Sequence, residues 1–233
     1  MNGEGVERDY EAAISWFEKA AAMGYALALH NLGVIYAKKN FARNSDEKAF
    51  QYYSQAAEKG HGSSQYNLGH WYHTGRFVKQ NFKRAFQLYT SAAEKGMAAA
   101  FTNLGSLYQN GLGIPRDYKQ ARKHFEKAAA LGHAVALNNL GVLYQNGHGV
   151  EKDLAKAVEF YRQATERGDA TSQHNLGLLY AKGEGVEKDL VEAYRRLNKA
   201  ILAGYNPAKE KLEKLSAEMT PSDLALAREN QSS

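Results

Sequence analysis

The sequence predicts an all-α fold, a right-handed α/α superhelix (solenoid) of about five full helix pairs with a half unit at each end, and three observations predict it. Asn-Leu-Gly recurs at Asn31, Asn67, Asn103, Asn139 and Asn175, each 36 residues after the last, and a tyrosine follows each at Tyr36, Tyr72, Tyr108, Tyr144 and Tyr180. A second stripe, Ala13-Phe17-Ala20, returns at the same step as Ala49-Tyr53-Ala56 and onward to Ala193-Leu197-Ala200. Its i, i+4, i+7 spacing is that of a helix face packed against a neighbour. Glycines close these helices at Gly24, Gly60, Gly96, Gly132, Gly168 and Gly204, where a helix end takes the left-handed backbone.

Each element follows from that frame. In one unit, helix A runs from Ala134 to about Asn146, Gly147-His148-Gly149-Val150 makes the turn, and helix B runs from Asp153 to about Arg167. Asp153, like Asp117 and Asp189, caps helix B through its side-chain oxygen. Two helices in so short a unit cannot bury their apolar faces alone, so neighbouring units stack. The reading places one solenoid over residues 1–233: a half repeat (helix B only) at 1–25, full repeats at 26–61, 62–97, 98–133, 134–169 and 170–205, and capping helices at 206–233.

The ends and two turns depart from the pattern. Asn2-Gly3-Glu4-Gly5-Val6 through Asp9 matches a mid-unit turn, so the sequence reads as starting part-way through a repeat, with an unmated face on the helix carrying Trp16 and Phe17. At the other end Lys211-Leu212-Glu213 replaces Asn-Leu-Gly, as a polar terminal cap and an authentic C-terminus would. Thr220-Pro221-Ser222-Asp223 reads as N-cap, first-turn proline and capping box of a last helix. The turn at Lys39–Ser45 lacks both consensus glycines and the valine, the next reads Gly75-Arg76-Phe77-Val78, and both are expected to be irregular.

The order Asn-Leu-Gly-x-x-Tyr, then Gly-x-Gly-Val-x-x-Asp, then Ala-x-x-x-Tyr-x-x-Ala-x-x-x-Gly resembles the Sel1-like repeat family, which is related to the tetratricopeptide repeats. The resemblance runs from Gly3 to about Leu215. It implies a concave wall of A helices as the usual ligand surface, with an asparagine at this helix position used for peptide recognition in the tetratricopeptide relatives. It also implies a role as adaptor, chaperone-like factor, bacterial host-interaction or toxin-neutralising (immunity-type) protein, or regulatory repeat module of a larger multidomain protein.

Composition removes several classes. The absence of cysteine excludes disulfides, thiolate metal sites and a cysteine nucleophile. No apolar run approaches the ~18 residues of a bilayer span, and the N-terminus lacks a signal-peptide pattern. A soluble chain is expected, cytoplasmic or, after loss of an upstream signal, periplasmic or secreted. The net charge of +5 is interspersed and the inner wall has few Arg or Lys, so no nucleic-acid partner is expected. The Gly-x-Gly turns lie between helices, not after a strand, and no nucleophile-base-orienter set is present. The reading is therefore a non-catalytic scaffold without cofactor.

On helix A, the core stripe uses positions equivalent to 28, 32, 35 and 36, which leaves an inner wall of other residues. The candidate partner-binding residues are Asn31, Tyr66, Asn67, His70, His73, Asn103, Ser106, Gln109, Asn139, Gln145, His174 and Asn175, with buried-versus-free status open. A primary amide both donates and accepts, so a ladder of asparagines suits the backbone of an extended peptide. The alternative is that each amide bonds within its own repeat. His70 and His73 stand one turn apart and could give two ligands to zinc, but no third is signalled, so no metal is expected. The row Trp16, Tyr52, Leu88, His124 and Phe160 reads as packing between helices. The expected partner is a protein or peptide, with self-association through the N-terminal repeat edge as a further expectation.

Overall fold

The computed structural model describes residues 9–38 and 45–229, and within them every regular element is helical. The opening turn over 2–8 and most of the turn over 39–45 lie outside the described residues. The chain divides into two compact units, Met1–Arg116 and Asp117–Ser233.

The first unit contains α1 (Tyr10–Ala22), α2 (Ala26–Ala37), α3 (Ser45–Glu58), α4 (Gly62–Thr74), α5 (Phe82–Glu94) and α6 (Ala98–Asn110). The second contains α7 (Tyr118–Ala130), α8 (Ala134–Asn146), α9 (Leu154–Glu166), α10 (Ala170–Lys182), α11 (Leu190–Leu202), α12 (Ala208–Glu218) and α13 (Pro221–Glu229). Even-numbered helices up to α10 are A helices and odd-numbered ones up to α11 are B helices. The fold is an all-α helical repeat. Within the first unit α2 lies along α3 and α4 along α5, and α3 meets α4; within the second α8 lies along α9 and α10 along α11, and α9 meets α10.

The repeated glycine of Asn-Leu-Gly makes the close A–B approach. A Cβ on Gly141 would stand 2.5 Å from the Tyr161 ring, and one on Gly33 would stand 2.5 Å from the ring of Tyr53. Glycine inside a helix costs about 1 kcal/mol against alanine. Full burial of the large side chain it admits stabilises by about 2 kcal/mol, which outweighs that cost. Tyr89 and Tyr161 are fully buried, with the alanines of their stripe at zero exposure.

Helix ends follow the expected chemistry. Asp153 Oδ1 accepts from the Lys156 amide at 2.9 Å, and Asp189 Oδ1 accepts from Glu192 at 2.8 Å. The second glycine of each Gly-x-Gly turn passes over the start of the preceding B helix: at Gly185, with φ +74°, a Cβ would stand 2.5 Å from the Leu154 carbonyl oxygen. The turn after α4 corrects the expectation of irregularity. Phe77 occupies the register of that glycine and keeps its left-handed backbone, at φ 63°, the one non-glycine to do so among the described residues. Its ring packs 5.7 Å from Phe50 and 6.2 Å from Trp71, contacts that hold the unfavourable backbone in place.

After the last repeat, α12 and α13 pack on α11. Ala208, Leu215, Met219 and Ala227 join Leu197 and Ala200 in one apolar cluster. Thr220 Oγ1 accepts from the Asp223 amide at 3.1 Å and donates to its carboxylate at 2.8 Å.

Candidate functional site

The candidate residues divide between the units, and their environments are built from the core tyrosines of the B helices outward. Each such tyrosine buries its ring and carries its hydroxyl to the A-helix face. In the second unit, Tyr161 O–H donates to Gln145 Oε1 of its own repeat at 2.6 Å. In the first unit the Tyr89 hydroxyl is 3.5 Å from His73 Nδ1 of its own repeat, and it also hydrogen-bonds Asn103 of the next. Tyr53 likewise bonds Asn67 of the next repeat. Burial pushes the Tyr53 hydroxyl up to about 12, against the opposing effects of the Asn67 bond and the Arg76 charge. Burial raises Tyr89 and Tyr161 as well. All three hydroxyls therefore remain protonated near neutrality.

This arrangement separates the repeated asparagines. Asn67 and Asn103 hold a tyrosine hydroxyl, and Asn175 Nδ2 donates to Asn138 Oδ1 at 3.0 Å. Asn31 and Asn139 follow B helices whose ring at that register is Phe17 or Phe125, neither of which has a hydroxyl to offer. Both are half-buried and make no side-chain hydrogen bond among the described residues. The two readings of the ladder thus fall on different rungs.

The remaining candidates are varied. His70 is exposed, whereas His73 is half-buried between Phe82 and Tyr89, with ring centroids 5.5 and 6.1 Å away. Burial, and then the neighbouring His70, lower the His73 pKa. Tyr66 packs tilted on Tyr89 at 5.7 Å. Ser106 Oγ donates back to the Thr102 carbonyl at 3.1 Å, and Gln109 is half-buried. His174 is a correction: it is 8% exposed, its ring lies 5.2 Å from Tyr205, and it sits in the seam leading to α12 instead of on an open wall. Asn138, another polar residue of an A helix, is buried as well. An A-helix position that faces the next A helix is covered by it, and periodicity within one helix does not distinguish that edge from the open face.

A seam that the sequence did not signal lies between α2 and α4. Ser64, fully buried, has its Oγ 2.9 Å from His30 Nδ1 and 3.2 Å from His61 Nδ1. The Ser64 amide also donates to His61 Nδ1 at 3.3 Å, which makes His61 the N-cap of α4. Because that nitrogen accepts, His61 carries its proton on the other one, and His30 donates to Ser64. A serine with no exposure beside two imidazoles is a structural joint that substrate cannot reach. The second unit repeats the joint in different residues, with Ser172 Oγ donating to Asn138 Oδ1 at 3.1 Å. The signal that would have found it is serine at 64 and 172, where the equivalent positions 28, 100 and 136 are alanine.

The Sel1 repeat model matches residues 1–25, 26–61, 62–97, 98–133, 134–169 and 170–205. The chain belongs to the Sel1 repeat family. Among solved structures, this Sel1 repeat chain is similar to c5321, a protective antigen of uropathogenic Escherichia coli strains with an SLR fold, at 35% identity and TM-score 0.88. The match covers 96% of this chain and 48% of that one, so the chain spans about half the length of the E. coli protein's solved chain. A Sel1 repeat protein from Oxalobacter formigenes matches at 30% identity and TM-score 0.84, covering 96% of this chain and 93% of that one. The immunity protein Pa5087 from Pseudomonas aeruginosa, at 24% identity and TM-score 0.55 over 95% of this chain and 77% of its own, shares the fold alone. No curated protein matches the sequence.

Sel1 repeat proteins generally mediate protein–protein interaction, and the scaffold is generally non-catalytic. No described helix is long and apolar enough to cross a membrane.

Proposed function

We propose that this Sel1 repeat chain is a non-catalytic interaction scaffold that binds a peptide or protein segment on the open face of its A helices. The observation that carries the reading is made in each unit by itself: Asn31 in the first and Asn139 in the second are amides at the register of peptide recognition that no tyrosine hydroxyl occupies among the described residues. A half-buried primary amide with both donor and acceptor free pairs well with the N–H and C=O of an extended backbone. The exposed imidazole of His70 adds a second polar contact in the first unit.

The test compares capture by the wild-type chain with capture by Asn31→Ala, Asn139→Ala and by Asn67→Ala, Asn103→Ala, with circular dichroism on all three. Loss of a retained protein in the first pair, with helicity intact, supports the reading. Equal retention by the wild type and the Asn31→Ala, Asn139→Ala pair would assign binding to another face. The Asn67→Ala, Asn103→Ala pair is expected to lower thermal stability, because it strips partners from Tyr53 and Tyr89.

A further inference from the structure

A cavity of about 410 Å³ in the first unit is lined by α3, α4 and α5. Its floor is apolar: Ala57, Leu68 and Leu88 are buried in one cluster, and Tyr72 packs against them. Leu88 thus packs as its row was expected to, whereas Trp16 of the same row is 69% exposed. Around that floor, small or polar residues stand where other repeats carry bulk. Ser91 takes the position of Lys127, Gln163 and Lys199, and Gln65 takes that of Leu29, Phe101 and Leu137.

Gln65 gives the cavity its chemistry. Its Nε2 donates to the Ala57 carbonyl at 3.3 Å, and its buried Oε1 accepts no hydrogen bond among the described residues. The second unit has a glutamine at the same register, Gln173, whose Oε1 accepts from Arg196 at 3.3 Å. The first unit has Leu88 at the register of Arg196, a side chain with no donor to give. Buried polar atoms are normally hydrogen-bonded, so Gln65 Oε1 is an open acceptor where the second unit supplies a guanidinium.

Two charges stand at opposite ends of the cavity. Glu58, the last residue of α3, adjoins the carbonyl that Gln65 holds, so its carboxylate and the open amide oxygen share one end. Arg84 lies in the first turn of α5, and the Asn81 amide ties that start to the far end of α4 by donating to the Tyr72 carbonyl at 2.8 Å. Gln65 and Tyr72 are seven residues apart, about 10 Å of helix. Arg84 donates to Gln87 Oε1 at 3.0 Å, and neither Arg84 nor Glu58 forms an ion pair among the described residues.

We propose that this cavity binds a free basic α-amino acid. Its side-chain cation lies between Glu58 and Gln65 Oε1, its methylenes cover Leu68 and Leu88, and its α-carboxylate meets the Arg84 guanidinium. Arg84 selects a free acid over a lysine within a chain, whose carboxyl is tied up as an amide.

Isothermal titration of the full chain with L-lysine tests this. Saturable binding is expected. Norleucine lacks the side-chain ammonium and cadaverine lacks the carboxylate, so each is expected to bind about tenfold more weakly or worse, the usual loss for one charged hydrogen bond. Gln65→Leu installs the residue that Leu29 and Leu137 supply at this register. That variant is expected to keep its helicity by circular dichroism and to lose L-lysine affinity by about tenfold or more. Absence of L-lysine binding, or equal affinity of the wild-type chain for L-lysine and either analogue, overturns the proposal without recourse to any variant. Undiminished L-lysine binding by a folded Gln65→Leu chain overturns it as well.

Discussion

Tyr161 shows how one atom changes the duty of a residue. Its ring is a core element, and its hydroxyl is a 2.6 Å donor to Gln145. Tyr161→Phe keeps the ring and removes the bond, so it is expected to cost about 1 kcal/mol in chemical denaturation, the usual net value of a hydrogen bond. Gly141→Ala brings a Cβ to within 2.5 Å of that ring. Overpacking outweighs the gain in helix propensity, and the variant is expected to lose about 1 to 2 kcal/mol by the same measurement. The glycine and the tyrosine were legible as a repeat signature because each recurs at a fixed step. The duty of the asparagine was not, because it depends on which partner packing brings to it: the hydroxyl of Tyr53 or Tyr89 for Asn67 and Asn103, and Asn138 for Asn175. That pairing crosses repeats and is settled only once the helices are packed.

Helix termini were the most readable elements. α8 spans Ala134–Asn146 as expected, and α9 begins after its Asp153 cap. Asp153→Ala is expected to cost about 1 kcal/mol of stability, the common price of losing an N-cap oxygen, checked by thermal unfolding. The α2–α4 joint was hidden because His30 and Ser64 lie 34 residues apart and meet only across two repeats. Burial, and then the charge of His61, bring His30 down to about 4. A lowered histidine pKa stabilises the fold fully above the unfolded value near 6.5, and the contribution is lost as pH falls toward 4. His30→Asn keeps an acceptor and a donor, as Asn138 does opposite Ser172. The variant is expected to flatten the pH dependence of the unfolding midpoint between 6.5 and 4. A slope identical to that of the wild type would remove His30 from the cause. At Phe77 the sequence reading erred in a specific way: absent glycine was taken to mean an altered turn, whereas aromatic packing on Phe50 and Trp71 holds the same backbone.

For the molecule as a whole, His30, His61, His73, His124, His133 and His174 all have lowered pKa values, with burial the first cause in each. Unfolding releases them to take up protons, so stability is expected to fall as pH drops below about 6.5, the unfolded histidine value. Thermal midpoints at a series of pH values from 7.5 to 4.5 check this, and a flat series would contradict it. The repeat frame was readable because it is written many times. Which A-helix positions stay open was not, since His174 and Asn138 look polar and solvated in one helix yet are covered once the next packs against it.

The alternation of Tyr and Phe along the B helices has a mechanical consequence. Where the ring is Tyr53 or Tyr89, a polar bolt ties it to the following A helix, and where it is Phe17 or Phe125 the ring has no hydroxyl to make that bond. The α1–α2 and α7–α8 joints are therefore expected to act as creases. In deuterium labelling, backbone amides bordering these creases should open to solvent ahead of those along α3–α4 and α5–α6, so that sites of give are encoded by the presence or absence of one oxygen atom.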